Sequence, residues 1–268
     1  MMRAAVYSGT RNLYEHMLPA IKSLTANSSV DRIYLLIEDD KFPWDLPPLV
    51  ETINVSDYVR ETFLPDGPNM KSQFTYMAMV RACYASLFPD LDKILQLDVD
   101  TIVVDNIDSL WDIDMGQKWC IAAEEPYNNY FKPWGMQYFN VGISMWNLKA
   151  IRQANIEPVI INDLNTVEER FAEQDSWQRI GAPRKFITLE NRYNDCKPCG
   201  YTDNPAVIHY AGWKNWWSDG SCPRREYYRK YRNMTWEEAF ACRGETTEMP
   251  KAAPKKTPRT RKTKTSES

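Results

Sequence analysis

The sequence predicts an α/β fold, a single Rossmann-like domain around a mostly parallel central sheet, and two features carry that expectation. An apolar strand, a helix and a second apolar strand follow one another within the first 37 residues, the spacing of a right-handed crossover between parallel strands. Further on, a helical stretch leads into another apolar strand that stops at a pair of aspartates, the edge at which open α/β sheets take their ligands. At 268 residues the chain is long enough for one large domain with an appendage.

Residues 3–8 (Arg-Ala-Ala-Val-Tyr-Ser) read as a buried strand that breaks at Gly9. Leu18, Ile21 and Leu24 recur at helical spacing over 14–26, and Arg-Ile-Tyr-Leu-Leu-Ile at 32–37 forms the second strand. Residues 39–70 are rich in Pro and Asp, with a short strand near Ile53 and Val55. A long helix is predicted from Gln73 to Leu87, ended by Pro89. Strands follow at 93–97, 119–123 and 139–147, the last after an aromatic loop at 126–138. A helix at 167–180 and short strands at 186–189 and 206–209 complete the pattern. Beyond Cys242 the apolar residues run out, so residues 1–242 form the domain and 243–268 a basic tail of disordered composition.

Charge is unevenly spread. Residues 251–268 carry seven Lys or Arg against one Glu, a balance of +6, which leaves −9 of the net −3 to the rest. The acidic body speaks against broad nucleic-acid binding; the tail is a solvated end or a tether to an anionic surface or polymer. No apolar run approaches the ~20 residues of a membrane span, and the N-terminus lacks the pattern of a secretory leader, so a cytoplasmic location is expected. Six cysteines are too few for a disulfide framework. Cys196-Lys197-Pro198-Cys199, with Cys222 and Cys242 downstream, offers a zinc site. Together with the tail, that site would make the chain a nucleic-acid-binding or non-catalytic binding protein on the same fold. Ten Trp and fifteen Tyr suit a packed core and also the faces of bases and sugar rings; Tyr127, Tyr130, Phe131, Trp134, Trp213, Trp216 and Trp217 are the candidates for the second role.

The sharpest local signal is Lys93-Ile94-Leu95-Gln96-Leu97-Asp98-Val99-Asp100-Thr101. Side chains alternate along a strand, so Asp98 and Asp100 point one way while Leu97 and Val99 point the other. Two hard oxygen donors side by side repel unless a cation lies between them, and Mn²⁺ or Mg²⁺ held there keeps positions open for diphosphate oxygens.

Asp98-Val99-Asp100 is followed in order by Phe139-Asn140-Val141-Gly142, Glu173-Gln174-Asp175, Arg192-Tyr193-Asn194 and His209-Tyr210-Ala211-Gly212. With the N-terminal strand and loop, this ordered set over residues 3–217 resembles glycosyltransferase family 8, the group of glycogenin and the bacterial lipopolysaccharide galactosyltransferases. The resemblance implies a GT-A fold and transfer of a hexosyl group, with retention of configuration, from UDP-glucose or UDP-galactose to a hydroxyl acceptor that the sequence does not name. It implies Mn²⁺ (or Mg²⁺) on Asp98, Asp100 and His209, and donor contacts from Arg81 and Lys214 to the diphosphate. Ser8 to Tyr14 would form the base loop, with Asn12 on the base edge and Tyr14 stacked on it, and Glu125 or Glu124 would bind the sugar. Gln174 would stabilise a cationic transition state, and Asp175 and Asn140 would orient sugar hydroxyls. The chain departs from the family pattern twice: no Asp stands between Ser8 and Tyr14, and His209-Tyr210-Ala211-Gly212-Trp213-Lys214-Asn215-Trp216 is one residue shorter than the family's late motif and lacks its Pro.

Overall fold

The computed structural model describes residues 2–71, 74–126 and 137–243; most of the aromatic loop and the basic tail beyond Arg243 lie outside them. β1 (Ala4–Ser8), α1 (Tyr14–Asn27) and β2 (Arg32–Ile37) form the expected crossover, followed by β3 (Val50–Asn54) and α2 (Ser56–Thr62). A 3₁₀ stretch, Tyr76–Cys83, runs into the short α3 (Tyr84–Leu87) and then β4 (Ile94–Leu97) and β5 (Thr101–Val103). Next come α4 (Ser109–Asp112), β6 (Cys120–Glu124), β7 (Phe139–Trp146), α5 (Leu148–Ala154), α6 (Glu157–Thr166) and α7 (Glu173–Gly181). β8 (Phe186–Leu189), β9 (Val207–His209), α8 (Arg225–Asn233) and α9 (Trp236–Cys242) finish the described chain.

Seven strands make one sheet in the order β3-β2-β1-β4-β7-β6-β8. All of its pairings are parallel except those of β7, which runs against both β4 and β6. Both faces are covered, which is why the strands read as continuous apolar runs. Ala5 and Tyr7 of β1 join the α1 side of the core, with Met17, Ile21 and Leu24. Ala4 and Val6 join the other side, with Trp146, Ile151, Ile160 and Trp177. β5 and β9 pair antiparallel as a separate ribbon, packed against α8 through Ile102, Ile208, Tyr228 and Tyr231.

Two predicted helices are altered. The stretch expected as a long helix from Gln73 is mainly 3₁₀. At three residues per turn, Met77, Val80 and Cys83 stack into the core while Ala78 and Arg81 stack toward the ligand edge. The helix expected from 167 starts at Glu173, because the Asp175 carboxylate accepts the backbone N–H groups of Arg170 (3.0 Å) and Phe171 (2.9 Å) and turns the chain there. β5, α2, α4, α5, α6, α8 and α9 were not anticipated, although Thr235 and Glu238 spell a capping box that the structure forms.

The α6–α7 contact carries a testable charge. Arg179 reaches Asp163 at 2.5 Å and also pairs with Glu169. Burial pushes the Glu169 carboxyl up to about 7, with Arg179 only partly opposing it. A folded-state pKa above the unfolded one means stability is fully present below the unfolded pKa and is lost as pH rises through about 7. The Tm of Glu169→Gln minus that of wild type is therefore expected to grow more positive from about pH 5 to pH 8; a pH-independent difference would count against this.

Candidate active site

β4 delivers Asp98 and Asp100 to the carboxyl end of the sheet. The turn is fixed by Thr101 Oγ1 donating to the Asp98 carbonyl (2.7 Å) and by Asp98 N–H donating to the Gly142 carbonyl (2.7 Å). The ribbon then brings in the distant imidazole: Thr101 pairs with His209, and Tyr210 N–H donates to the Asp100 carbonyl (2.9 Å). His209 Nε2 lies 3.3 Å from Asp100 Oδ1 and 3.8 Å from Asp98 Oδ2. These three residues offer one donor atom each within 4.8 Å of one another. Burial alone would discourage charge on His209, but the charge and hydrogen bond of Asp100 outweigh it and hold its pKa well above the ordinary range.

Gly142 makes the closeness of these groups feasible. A Cβ there would stand 2.3 Å from His209 Cε1 and 2.9 Å from Asp98 Oδ2. The glycine sits where β7 bulges: the pairing with β6 shifts between Ala122 and Ala123, so Ala122 faces Ser144 and Ala123 faces Asn140. Bulges re-aim side chains, and this one turns Asn140 into the site. The cradle and its two-oxygen, one-nitrogen donor set fit a divalent cation.

Arg81 lies between two carboxylates. Its Nη1 donates to Asp98 Oδ1 (2.8 Å), and its Nε is 2.5 Å from Glu173 Oε1. Glu173 is fully buried, and burial pushes its carboxyl up to about 7 against the pull of Arg81. It was not singled out from the sequence, although it opens the Glu173-Gln174-Asp175 segment. Gln174 Oε1 accepts Val141 N–H (3.0 Å), and its Nε2 donates to Tyr138 Oη (2.7 Å). Asn140 Nδ2 donates to Glu125 Oε1 (2.7 Å), whereas Glu124 is half-buried outside the cavity lining and accepts from Gln137 Nε2 at 3.2 Å.

A cavity of about 540 Å³ opens over these groups. Eight of the sequence-derived residues line it: Arg81, Asp98, Asp100, Glu125, Asn140, Gln174, His209 and Lys214. Phe74, Phe171, Pro198 and Trp213 add apolar wall. Ser8, Asn12, Tyr14 and Asp175 are not in its lining. Ser8 ends β1 with its hydroxyl 3.5 Å from the Met77 carbonyl, and Asn12 is exposed, accepting from Thr10 Oγ1 at 2.6 Å. Two expectations are corrected. Tyr14 is a core residue: it is buried against Phe42 and its hydroxyl accepts Glu38 N–H (2.7 Å), so no face is left for a base. Asp175 is fully buried, committed to Tyr138 Oη (2.5 Å) and the turn before α7, so it orients no sugar hydroxyl.

The aromatics divide as well. Trp216 packs beside Tyr210 and Tyr228, and Trp217 stacks on His16, whose Nδ1 meets Tyr228 Oη at 2.9 Å. Tyr127, Tyr130, Phe131 and Trp134 lie outside the described residues. Cys196 and Cys199 are buried neighbours, but Cys222 packs in the ribbon core and Cys242 is exposed at the end of α9. Among the described residues, the one group of three or more potential metal ligands is Asp98, Asp100 and His209, so the four-cysteine zinc site falls away. No helix among the described residues is long and apolar enough to cross a membrane.

The chain is 24% identical over 251 residues to glycosyltransferase GlyA of Streptococcus pneumoniae, covering 88% of this chain and 35% of that protein. It is 26% identical to general stress protein A of Bacillus subtilis, covering 84% of this chain and 91% of that one. GlyA and the probable glycosyl transferase Gly of Streptococcus gordonii are about three times as long as the stretch matched, which is 35% and 36% of each. Among solved structures, the bifunctional glycosyltransferase WbbM superposes with a TM-score of 0.70 at 18% identity, over 90% of this chain and 51% of that one. The galactosyltransferase LgtC, solved with donor and acceptor sugar analogues, gives 0.62 at 18% identity, over 85% of this chain and 95% of that one. These neighbours share the GT-A fold, with its mixed α/β architecture around a mostly parallel sheet. The model of glycosyl transferase family 8 matches residues 7–220, and the chain belongs to that family.

Proposed function

We propose that the chain is a metal-dependent, retaining hexosyltransferase that takes its sugar from UDP-glucose or UDP-galactose and passes it to a glycan or other hydroxyl acceptor. One observation carries this reading: two aspartates and an imidazole converge in a cavity that also holds Arg81, Gln174 and Lys214. Asp98, Asp100 and His209 would hold Mn²⁺ or Mg²⁺. A bound divalent ion supplies the positive charge that a diphosphate needs as it becomes the leaving group. Arg81 keeps the acidic pair compact by neutralising part of its charge, and the exposed Lys214 at the cavity wall suits the departing phosphate.

On the sugar side, Glu125 and Asn140 offer polar groups for hydroxyls. Gln174 is a neutral amide, a poor nucleophile, and suits stabilisation of an oxocarbenium-like centre. We therefore favour attack by the acceptor on the leaving-group face, with a donor phosphate oxygen taking the acceptor proton. The test is a panel of nucleotide sugars with Mn²⁺, scored for nucleoside-diphosphate release with and without cell-extract acceptors. Release from a UDP-hexose, abolished by excess chelator, is expected. Silence with every donor would refute the transfer reaction, and release undiminished by chelator would refute its metal dependence.

A further inference from the structure

We propose that Asn194 is a positioning residue for the cation: it fixes which nitrogen of His209 faces the two aspartates. The inference rests on the metal reading above and adds a residue that does not line the cavity. The Asn140 amide is held in one orientation. The backbone N–H of Gly142 donates to Asn140 Oδ1 (3.0 Å), which identifies that atom as the oxygen. The Asn140 amide nitrogen then points to Glu125 Oε1 (2.7 Å), a carboxylate oxygen that accepts, so both ends of Asn140 agree.

The same Asn140 oxygen meets Asn194 at 2.9 Å and requires a donor there, which must be Asn194 Nδ2. Asn194 Oδ1 is thereby turned to His209 Nδ1 at 2.8 Å. An amide oxygen only accepts, so Nδ1 keeps its hydrogen, and Nε2 is the nitrogen presented to Asp98 and Asp100. A backbone N–H thus sets the histidine tautomer through two amides. Cys196 also lies against the ring, but a thiol both donates and accepts weakly and selects no tautomer.

The placement is built into the fold. Asp195 N–H donates to the Val207 carbonyl (3.0 Å) and His209 N–H to the Asp195 carbonyl (3.0 Å), which sets Asn194 beside the end of β9. Asn194 is fully buried and does not line the cavity, so its effect passes through His209. Outer partners of metal-bound histidines typically change metal affinity by about 10–100-fold when removed.

The experiment is Mn²⁺ titration of the purified protein by calorimetry, with no donor present, on wild type, Asn194→Ala and Asn194→Leu. The leucine variant keeps the branching of the side chain and loses both hydrogen bonds, which guards against a collapse of the alanine variant. Both are expected to bind Mn²⁺ about 10–100-fold more weakly than wild type. A second readout is the ¹⁵N spectrum of the histidines in the Mg²⁺-loaded protein, where only His16 and His209 contribute. Wild type should show His209 protonated at Nδ1 alone, and the variants a mixture. Wild-type affinity and tautomer in a folded variant would overturn the role of Asn194. Absence of Mn²⁺ binding by wild type would instead overturn the metal reading beneath it.

Discussion

Asp100→Asn is expected to lower turnover at saturating donor by at least about 10²-fold and to weaken Mn²⁺ binding in parallel. The substitution is nearly isosteric, and the backbone bond from Tyr210 N–H to the residue-100 carbonyl does not involve the side chain, so the β5–β9 ribbon should persist. What changes is the chemistry of one donor: a carboxylate oxygen carrying charge becomes a neutral amide oxygen beside a nitrogen that repels a cation. Steady-state kinetics against Mn²⁺ concentration, with the Tm as a control for folding, would test this. Near-normal turnover in excess chelator would remove the metal from the mechanism.

Gly142→Ala is expected to be comparably damaging for a different reason. The added methyl would meet His209 Cε1 at 2.3 Å, Asp98 Oδ2 at 2.9 Å and Asn140 Oδ1 at 3.0 Å. None of these is the loose end of a flexible chain: the imidazole is tied to Asn194, the carboxylate to Arg81, and the amide to Glu125. The ring must move or β7 must shift, so Mn²⁺ affinity and turnover should each fall by about 10²-fold, in line with other losses of ligand positioning. Overpacking of this kind also costs about 1–3 kcal/mol of stability. Gly212 gives the contrast: nothing lies within 4 Å of its Cβ position, and its φ of +84° makes alanine a purely backbone problem. Gly142→Ala with wild-type affinity and turnover would show that the cradle is not what holds the imidazole in place.

The sheet was legible because strands covered on both faces are continuous apolar runs, as at Ala4–Ser8 and Ile94–Leu97. The acidic pair was legible because an apolar strand runs straight into it; the strand ends at Leu97, however, and a turn rather than strand alternation brings the two carboxylates together. The pairing of His209 with that pair was not, since it depends on two three-residue strands too short to show any period; only the family resemblance pointed to it. Tyr14 was misread even though it continues the helix face of Met17, Ile21 and Leu24, a spacing that signals core. Asp175 was misread because an acidic residue near a helix start serves the local backbone as readily as a ligand. Glu173 and Asn194 act through Arg81 and His209, and partnerships across such distances in sequence leave no local mark.

The two-stranded ribbon has a further consequence. It joins Asp98 and Asp100 to a residue about 110 positions later, so an ion held by all three would act as a reversible cross-link that closes a very long loop. Occupancy of the site and docking of β9 with α8 and α9 would then be one equilibrium seen from two sides, and chelation would expose that segment to proteases before the rest of the molecule.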